Sequence, residues 1–137
     1  MNRKLARENA FLLLFEMVAR ADANAEEILD CAVLERDLET DDYVKEVFFG
    51  VHSNLEVIED QLDSCLVGWK KNRISVASMA LLRLGAYELL YKEDIPALVT
   101  INECVELSKK YDDEKTYSFV NGVLNALAEK CGKKNAK

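Results

Sequence analysis

The sequence has one histidine, one proline, one tryptophan and five glycines among its 137 residues. A single histidine restricts any Ser–His–Asp or Cys–His catalyst to His52. His52 sits in an acidic stretch beside Val51, where a structural or exposed imidazole is the ordinary outcome. Neither a GxGxxG turn nor a phosphate-binding P-loop occurs. No catalytic residue, metal or cofactor is therefore expected. Cys31, Cys65, Cys104 and Cys131 are widely spaced and form no CxxC pair. That argues against a zinc site and against a secreted disulfide scaffold, and for reduced thiols in a cytoplasmic protein. Residues 1–20 lack the features of a signal peptide, and no apolar run approaches the length of a membrane span. So few glycines and prolines weigh against a many-turned sheet and for long helices.

Charge is abundant but segregated. Acidic residues outnumber basic ones by 25 to 18, for a formal net charge of −7. Residues 21–66 hold fourteen of the acids and two bases; every other segment is slightly basic. A uniformly basic coat for nucleic acid is excluded. A polyanion could settle only away from the central block.

Periodicity assigns the elements. Residues 3–20 form a helix with Phe11, Leu14 and Val18 on one line and Leu12 and Phe15 widening the apolar face. Asn24 and Glu27 make a capping box for a helix over 25–36. Thr40 or Asp41 opens a long spine helix reaching residue 66, its apolar stripe running Val44, Phe48, Val51, Leu55, Ile58, Leu62 and Leu66. Ser75 caps a helix over 76–92, apolar on several sides, in which Gly85 permits close helix approach. Pro96 breaks the chain, and Thr100 with Glu103 forms a second capping box for a helix ending at Tyr111. The last helix spans 115–131, with Asn121-Gly122 inside it. That pair implies either a very close neighbour or a functional surface. Lysines at 130, 133, 134 and 137 trail into a basic tail. The fold class is all-α, one domain of about six or seven helices, with an N-terminal half over 1–67 and a C-terminal half over 75–131.

Three clusters carry candidate chemistry. Arg3, Lys4 and Arg7 open the first helix, where the helix dipole does nothing to stabilise cations. A phosphate backbone would; so would the neighbouring acidic face. Lys70, Lys71 and Arg73 follow Trp69, whose ring either stacks on a base or plugs the seam between the halves; a plug is what a lone tryptophan beside a connector ordinarily makes. Lys115 and Phe119 share a helical face off the core line of Val120, Leu124 and Leu127. Phe119 either offers a stacking ring or packs on another helix, and Asn121 either reads a base edge or caps backbone.

Together the motifs resemble the NusB family. The resemblance rests on Ala6-Arg7-Glu8 with Ala10, Trp69 with Arg73-Ile74, and Leu82-Arg83-Leu84 leading to Tyr87-Glu88-Leu89. It continues through Ile95-Pro96, Ile101-Asn102-Glu103-Cys104-Val105-Glu106-Leu107 and Phe119-Val120-Asn121-Gly122-Val123-Leu124, and spans Arg3 to about Ala128. It implies two small helical bundles packed across one another, without enzymatic activity. It implies pairing with ribosomal protein S10, binding of boxA-type single-stranded RNA in nascent ribosomal RNA leaders, and entry into an RNA polymerase antitermination complex. By the same resemblance Arg3, Lys4 and Arg7 belong to a basic RNA-binding motif, with Phe119 and Lys115 on the RNA-facing side. Arg83, Tyr87 and Glu88 fall near the S10-facing side or support the fold. Leu5 interrupts a basic run that is denser elsewhere in the family. Some members self-associate as homodimers and others stay monomeric. The rival reading is a helical protein–protein scaffold that does not touch RNA.

Overall fold

The computed structural model describes residues 1–66 and 68–133. Among them are seven α-helices: α1 (Arg3–Ala19), α2 (Ala25–Arg36), α3 (Asp42–Ser53), α4 (Leu55–Asp63), α5 (Val76–Tyr91), α6 (Ala97–Tyr111) and α7 (Tyr117–Lys130). A single 3-10 turn, Lys71–Arg73, lies in the connector before α5. No strand occurs among the described residues. The helices make two packed groups, α1–α4 and α5–α7. Position 67, the expected edge of the first half, and Lys134 and Lys137 of the expected tail lie outside the described residues.

Local chemistry accounts for most helix starts. The Asn2 side chain accepts from the Leu5 N–H, Asn24 from those of Glu26 and Glu27, Asp41 from Val44 and Ser75 from Ser78. Each satisfies donors that a helix cannot pair internally. The capping box expected at Thr100 is corrected. The helix begins a turn earlier, at Ala97, with Pro96 at its N-cap and no side-chain cap. Proline suits this position because its fixed φ is compatible with the extended N-cap conformation (φ −61°, ψ 143°) and it has no N–H to satisfy. Thr100 is buried and uses its hydroxyl elsewhere.

The single spine helix expected to run to residue 66 is also corrected. The chain breaks at Asn54, which leaves the helical region (φ −113°, ψ 21°). Its side-chain amide donates to the Gly50 carbonyl at 2.8 Å, sharing that acceptor with its own N–H at 3.0 Å. The break involves one residue, so the apolar stripe continues almost in phase and Ile58 and Leu62 still enter the core. Periodicity alone could not reveal it.

The helix that organises the core is α5. Eleven of its sixteen residues are buried, and it packs against α1, α3, α4, α6 and α7. A helix apolar on every side must be enclosed by others. Two glycines set the approach distances. A methyl group at Gly85 would lie 2.7 Å from the Leu124 side chain, so α7 closes on α5 there, as the sequence anticipates. A methyl at Gly50 would lie 2.3 Å from the Tyr87 ring. A methyl group at Gly122 would meet no neighbouring element within 4 Å, which removes the close-neighbour explanation for Asn121-Gly122. Lys133 donates to the carbonyls of Glu88 (3.1 Å) and Lys92 (2.6 Å), satisfying acceptors at the end of α5.

These contacts separate two superficially similar substitutions. Gly50→Ala forces a rigid aromatic ring to move and is expected to destabilise the fold by about 1–3 kcal/mol. Gly122→Ala gains helix propensity in open space and is expected to stabilise it by about 0.5–1 kcal/mol. Urea unfolding midpoints of the two variants check this; equal shifts of one sign would contradict the packing described.

Candidate nucleic-acid interface

The first turns of α1 do not present three cations to one side. Arg3 is exposed and stacks over the Tyr43 ring of α3, with its guanidinium carbon 4.3 Å from the ring centroid. Lys4 turns the other way and meets Glu103 of α6 at 3.5 Å. Arg7 points inward and is only 3% exposed. Its Nε donates to Glu88 Oε2 at 2.8 Å and its Nη2 to Glu88 Oε1 at 3.4 Å. The expectation that Arg7 contacts RNA is therefore corrected: its guanidinium is enclosed and engaged within the fold.

Glu88 is fully buried and collects three further partners. Tyr43 donates its hydroxyl to Oε2, Thr100 donates to Oε1 at 2.7 Å, and the Glu88 carbonyl takes Lys133. Burial works against the charge on Arg7, yet the hydrogen bond and attraction of Glu88 hold its pKa above the ordinary value. Burial likewise pushes the Tyr43 phenol and the Cys104 thiol up, with Glu88 adding to both. Tyr87 is buried, its hydroxyl donates to Glu46 at 3.0 Å, and burial followed by that bond pushes it up to about 12. Arg83 is mostly covered and pairs with Glu59 at 3.3 Å. Arg83, Tyr87 and Glu88 are thus all engaged inside the fold.

The second and third clusters meet. Trp69, in the connector, packs on Phe119 of α7 with ring centroids 4.6 Å apart and planes 59° from parallel. The tryptophan is 58% exposed, so the expected buried plug is corrected: it packs on Phe119 and stays largely open to solvent. Phe119 is half-buried and packs on the core edge. The two rings border an open hollow of about 590 Å³ that Lys70, Arg73 and Lys115 also line. Its remaining wall includes Ser75 and Ser78, whose hydroxyls donate to Asp112 at 2.6 and 2.9 Å. Lys71 does not line this hollow. It pairs with Asp63 at 2.8 Å and Glu59 at 3.5 Å, and the hydrogen bond to Asp63 raises its pKa. Asn121 is exposed outside the hollow and accepts from Asn125.

The start of α1 and the ring at 119 are joined by surface rather than by contact. A hollow beside Lys4 reaches Lys109; the next runs from Lys109 to Lys115 and Ser118; the third runs from Lys115 to Phe119 and Trp69. Lys109, which lines two of these hollows, joins the ends, and Lys110 lines the first; no motif singled out either. A basic doublet closing a helix was their only signal in the sequence. Lys109 lies 4.8 Å from the centroid of the Tyr117 ring. Lys110 and Tyr111 both donate to Glu8, and these bonds, Lys110 first, hold the Glu8 carboxyl below the usual range.

Among the described residues no group of three or more His, Cys, Asp or Glu side chains is placed to hold an ion. His52 is exposed on α3. No described helix is long and apolar enough to cross a membrane.

Two outcomes follow. Arg7→Ala leaves Glu88 as an uncompensated buried charge and is expected to destabilise the fold by about 3–5 kcal/mol. A double-mutant cycle with Glu88→Gln, read by urea unfolding, is expected to show strong coupling; additive losses would contradict the pairing. Asp112 gives a pH signature. Burial alone would raise its pKa, but bonds from Ser75, the Asp113 N–H and Ser78 outweigh it and lower the native value below 3.8. The unfolded chain then binds the proton more readily than the native one. The contribution is whole above the unfolded value and is lost as pH falls through the native one. The stability gap between wild type and Asp112→Asn is expected to be constant near neutrality and to close below about pH 4. A gap unchanged down to acid unfolding would contradict it.

Comparisons with known proteins agree with this architecture. The NusB family profile matches residues 4–129. A transcription antitermination protein NusB from Clostridium botulinum (strain Alaska E43 / Type E3) is 45% identical over 134 residues, covering 95% of this chain and all of that protein. Among solved structures, Thermotoga maritima NusB superposes with a TM-score of 0.82 at 37% identity, over 94% of this chain and 92% of that one. A complex described as antitermination factors NusB and NusE with dsRNA matches with a TM-score of 0.82 at 31% identity, over 93% and 96% of the two chains. With the profile spanning nearly its whole length and close relatives matched end to end, the chain belongs to the NusB family, non-enzymatic RNA-binding proteins of transcription antitermination.

Proposed function

We propose that this protein, with ribosomal protein S10, binds boxA-type single-stranded RNA of nascent ribosomal RNA leaders in the cytoplasm and joins the elongating RNA polymerase antitermination complex. The observation that carries this reading is the hollow where Trp69 and Phe119 stand together among Lys70, Arg73 and Lys115. Such a hollow suits a splayed base. The rings supply π-faces for stacking, and the cations hold the flanking phosphates. Lys4, Lys109 and Lys110 extend a track for the backbone, and Arg3 stands beside its start on Tyr43. The relative solved with NusE, the S10 of antitermination, and dsRNA supports both kinds of partner.

A protein partner needs apolar surface, and α1 offers it away from the rings. Leu12, Phe15 and Leu38 floor a hollow of about 560 Å³ whose rim holds Glu16, Arg20 and Arg36. Joint binding of RNA and S10 would raise the effective concentration of each weak contact. The acidic helices α2 to α4 would repel the RNA and stay clear of it.

Alanine at Trp69 is expected to weaken binding of a boxA-type RNA about tenfold or more with little change in unfolding, because stacking contributes about 1–3 kcal/mol per base. Phe119→Ala is expected to weaken binding similarly and also to lower stability, since that ring is half-buried. Lys115→Ala is expected to flatten the salt dependence by about 0.7 in log–log slope, the signature of one lost contact to single-stranded RNA. Binding assays with S10 present check all three. A wild-type protein that binds no RNA with or without S10 would leave only the scaffold reading.

A further inference from the structure

We propose that Glu103 and Glu106 are built-in counter-anions that compete with the RNA backbone for Lys4 and Lys109, and so set the affinity and salt dependence of RNA binding. The inference rests on the RNA-binding reading above.

The hollow of about 350 Å³ between the start of α1 and the last turns of α6 is lined by Lys4, Lys109 and Lys110 and by Glu8, Glu103 and Glu106. Cations and carboxylates are equal in number, and each cation has a partner: Lys4–Glu103 at 3.5 Å, Lys109–Glu106 at 3.4 Å and Lys110–Glu8 at 2.6 Å. Through Lys109 this hollow adjoins the one leading to Lys115 and, beyond it, the two rings. An RNA strand running from the basic start of α1 to Phe119 must therefore cross a stretch whose own charges already cancel.

The three pairs are not alike. Glu8 is mostly covered, and Tyr111, whose ring stacks 5.0 Å from that of Phe11, also donates to it. That pair is part of how α6 is held on α1. Of the other two, Lys109–Glu106 is open on both sides, at 48% and 59% exposed, whereas Lys4 is 73% exposed but its partner Glu103 only 26%. Exposed ion pairs are weak and readily exchanged. A phosphate can take either lysine from its glutamate at small cost, but the released carboxylate then stands beside the phosphate and repels it. The lysines were already neutralised, so fewer counterions leave on binding than their number suggests. Both effects lower affinity and flatten its salt dependence. They also favour a strand held additionally by the ring hollow over any polyanion that offers charge alone.

The test compares Glu106→Gln, Glu103→Gln and Asp30→Asn for binding of a short boxA-type single-stranded RNA, with S10 present, across a salt series. Asp30→Asn removes the same unit of charge from exposed α2, outside the hollow. Glu106→Gln is expected to tighten binding about three- to fivefold at low salt, the scale of one exposed charge pair, and Glu103→Gln to do likewise. Each is expected to steepen the slope of log affinity against log salt by about 0.7. Asp30→Asn is expected to change neither quantity. Glu103 also lies 3.9 Å from the buried Arg7, so unfolding midpoints accompany the assay, and Glu106→Gln stands as the variant free of that contact. If wild type binds the RNA and Glu106→Gln binds it no better, the counter-anion role is overturned while the RNA-binding reading stands. If all three variants tighten alike, overall charge is the cause and the role is equally overturned. If wild type binds no RNA beside S10, both fall together.

Discussion

One buried carboxylate ties the molecule together. Glu88, in the last turn of α5, accepts from Arg7 of α1, Tyr43 of α3 and Thr100 of α6. A buried charge is costly unless fully paired and hydrogen-bonded, and here both oxygens are engaged. The network joins helices from both groups of the fold, so the relative placement of α1, α3 and α6 depends on it. It fixes the rotation of α1 about its axis. With Arg7 turned inward, Lys4 must face α6 and Arg3 must face α3.

That rotation distributes the surface chemistry. The basic start of α1 divides into a buried anchor, a cation stacked on Tyr43 and a lysine at the head of a charged hollow. The aromatic end of the interface is assembled independently: the connector turn at Lys71–Arg73 brings Trp69 onto Phe119, and Lys71 is drawn toward Asp63 and Glu59 of α4. Between these ends lies a zwitterionic stretch contributed by α1 and α6. No residue of the acidic α2 to α4 lines the three hollows, so a protein of net charge −7 retains a run of surface along which cations and rings follow one another.

Much was legible before any coordinates. Helix boundaries follow from capping residues and apolar spacing, and contact of α5 from more than one direction follows from its apolar residues on several sides; that it organises the whole core does not. The aromatic at 119 and the lysine at 115 stand out because they leave the core line of α7. Less legible was the break at Asn54, because a one-residue interruption leaves the apolar stripe nearly in phase. The early start of α6 was missed because Thr100 has the chemistry of a cap but is buried where it can donate to Glu88 instead. Arg7 looked like its neighbours because a sequence shows charge, not direction.

The sequence by itself determined the all-helical class, the acidic and basic division of the chain and the residue types available at the interface. Those depend on spacing along the chain and on local propensity, which are one-dimensional properties. Tertiary structure alone decided which cations reach solvent, which carboxylates neutralise them and which rings touch. These depend on contacts between residues tens of positions apart: Arg7 with Glu88, Lys4 with Glu103, Trp69 with Phe119. Desolvation and pairing act on distance in space, and the burial of one glutamate in α5 settled what the first basic residues of the chain could do.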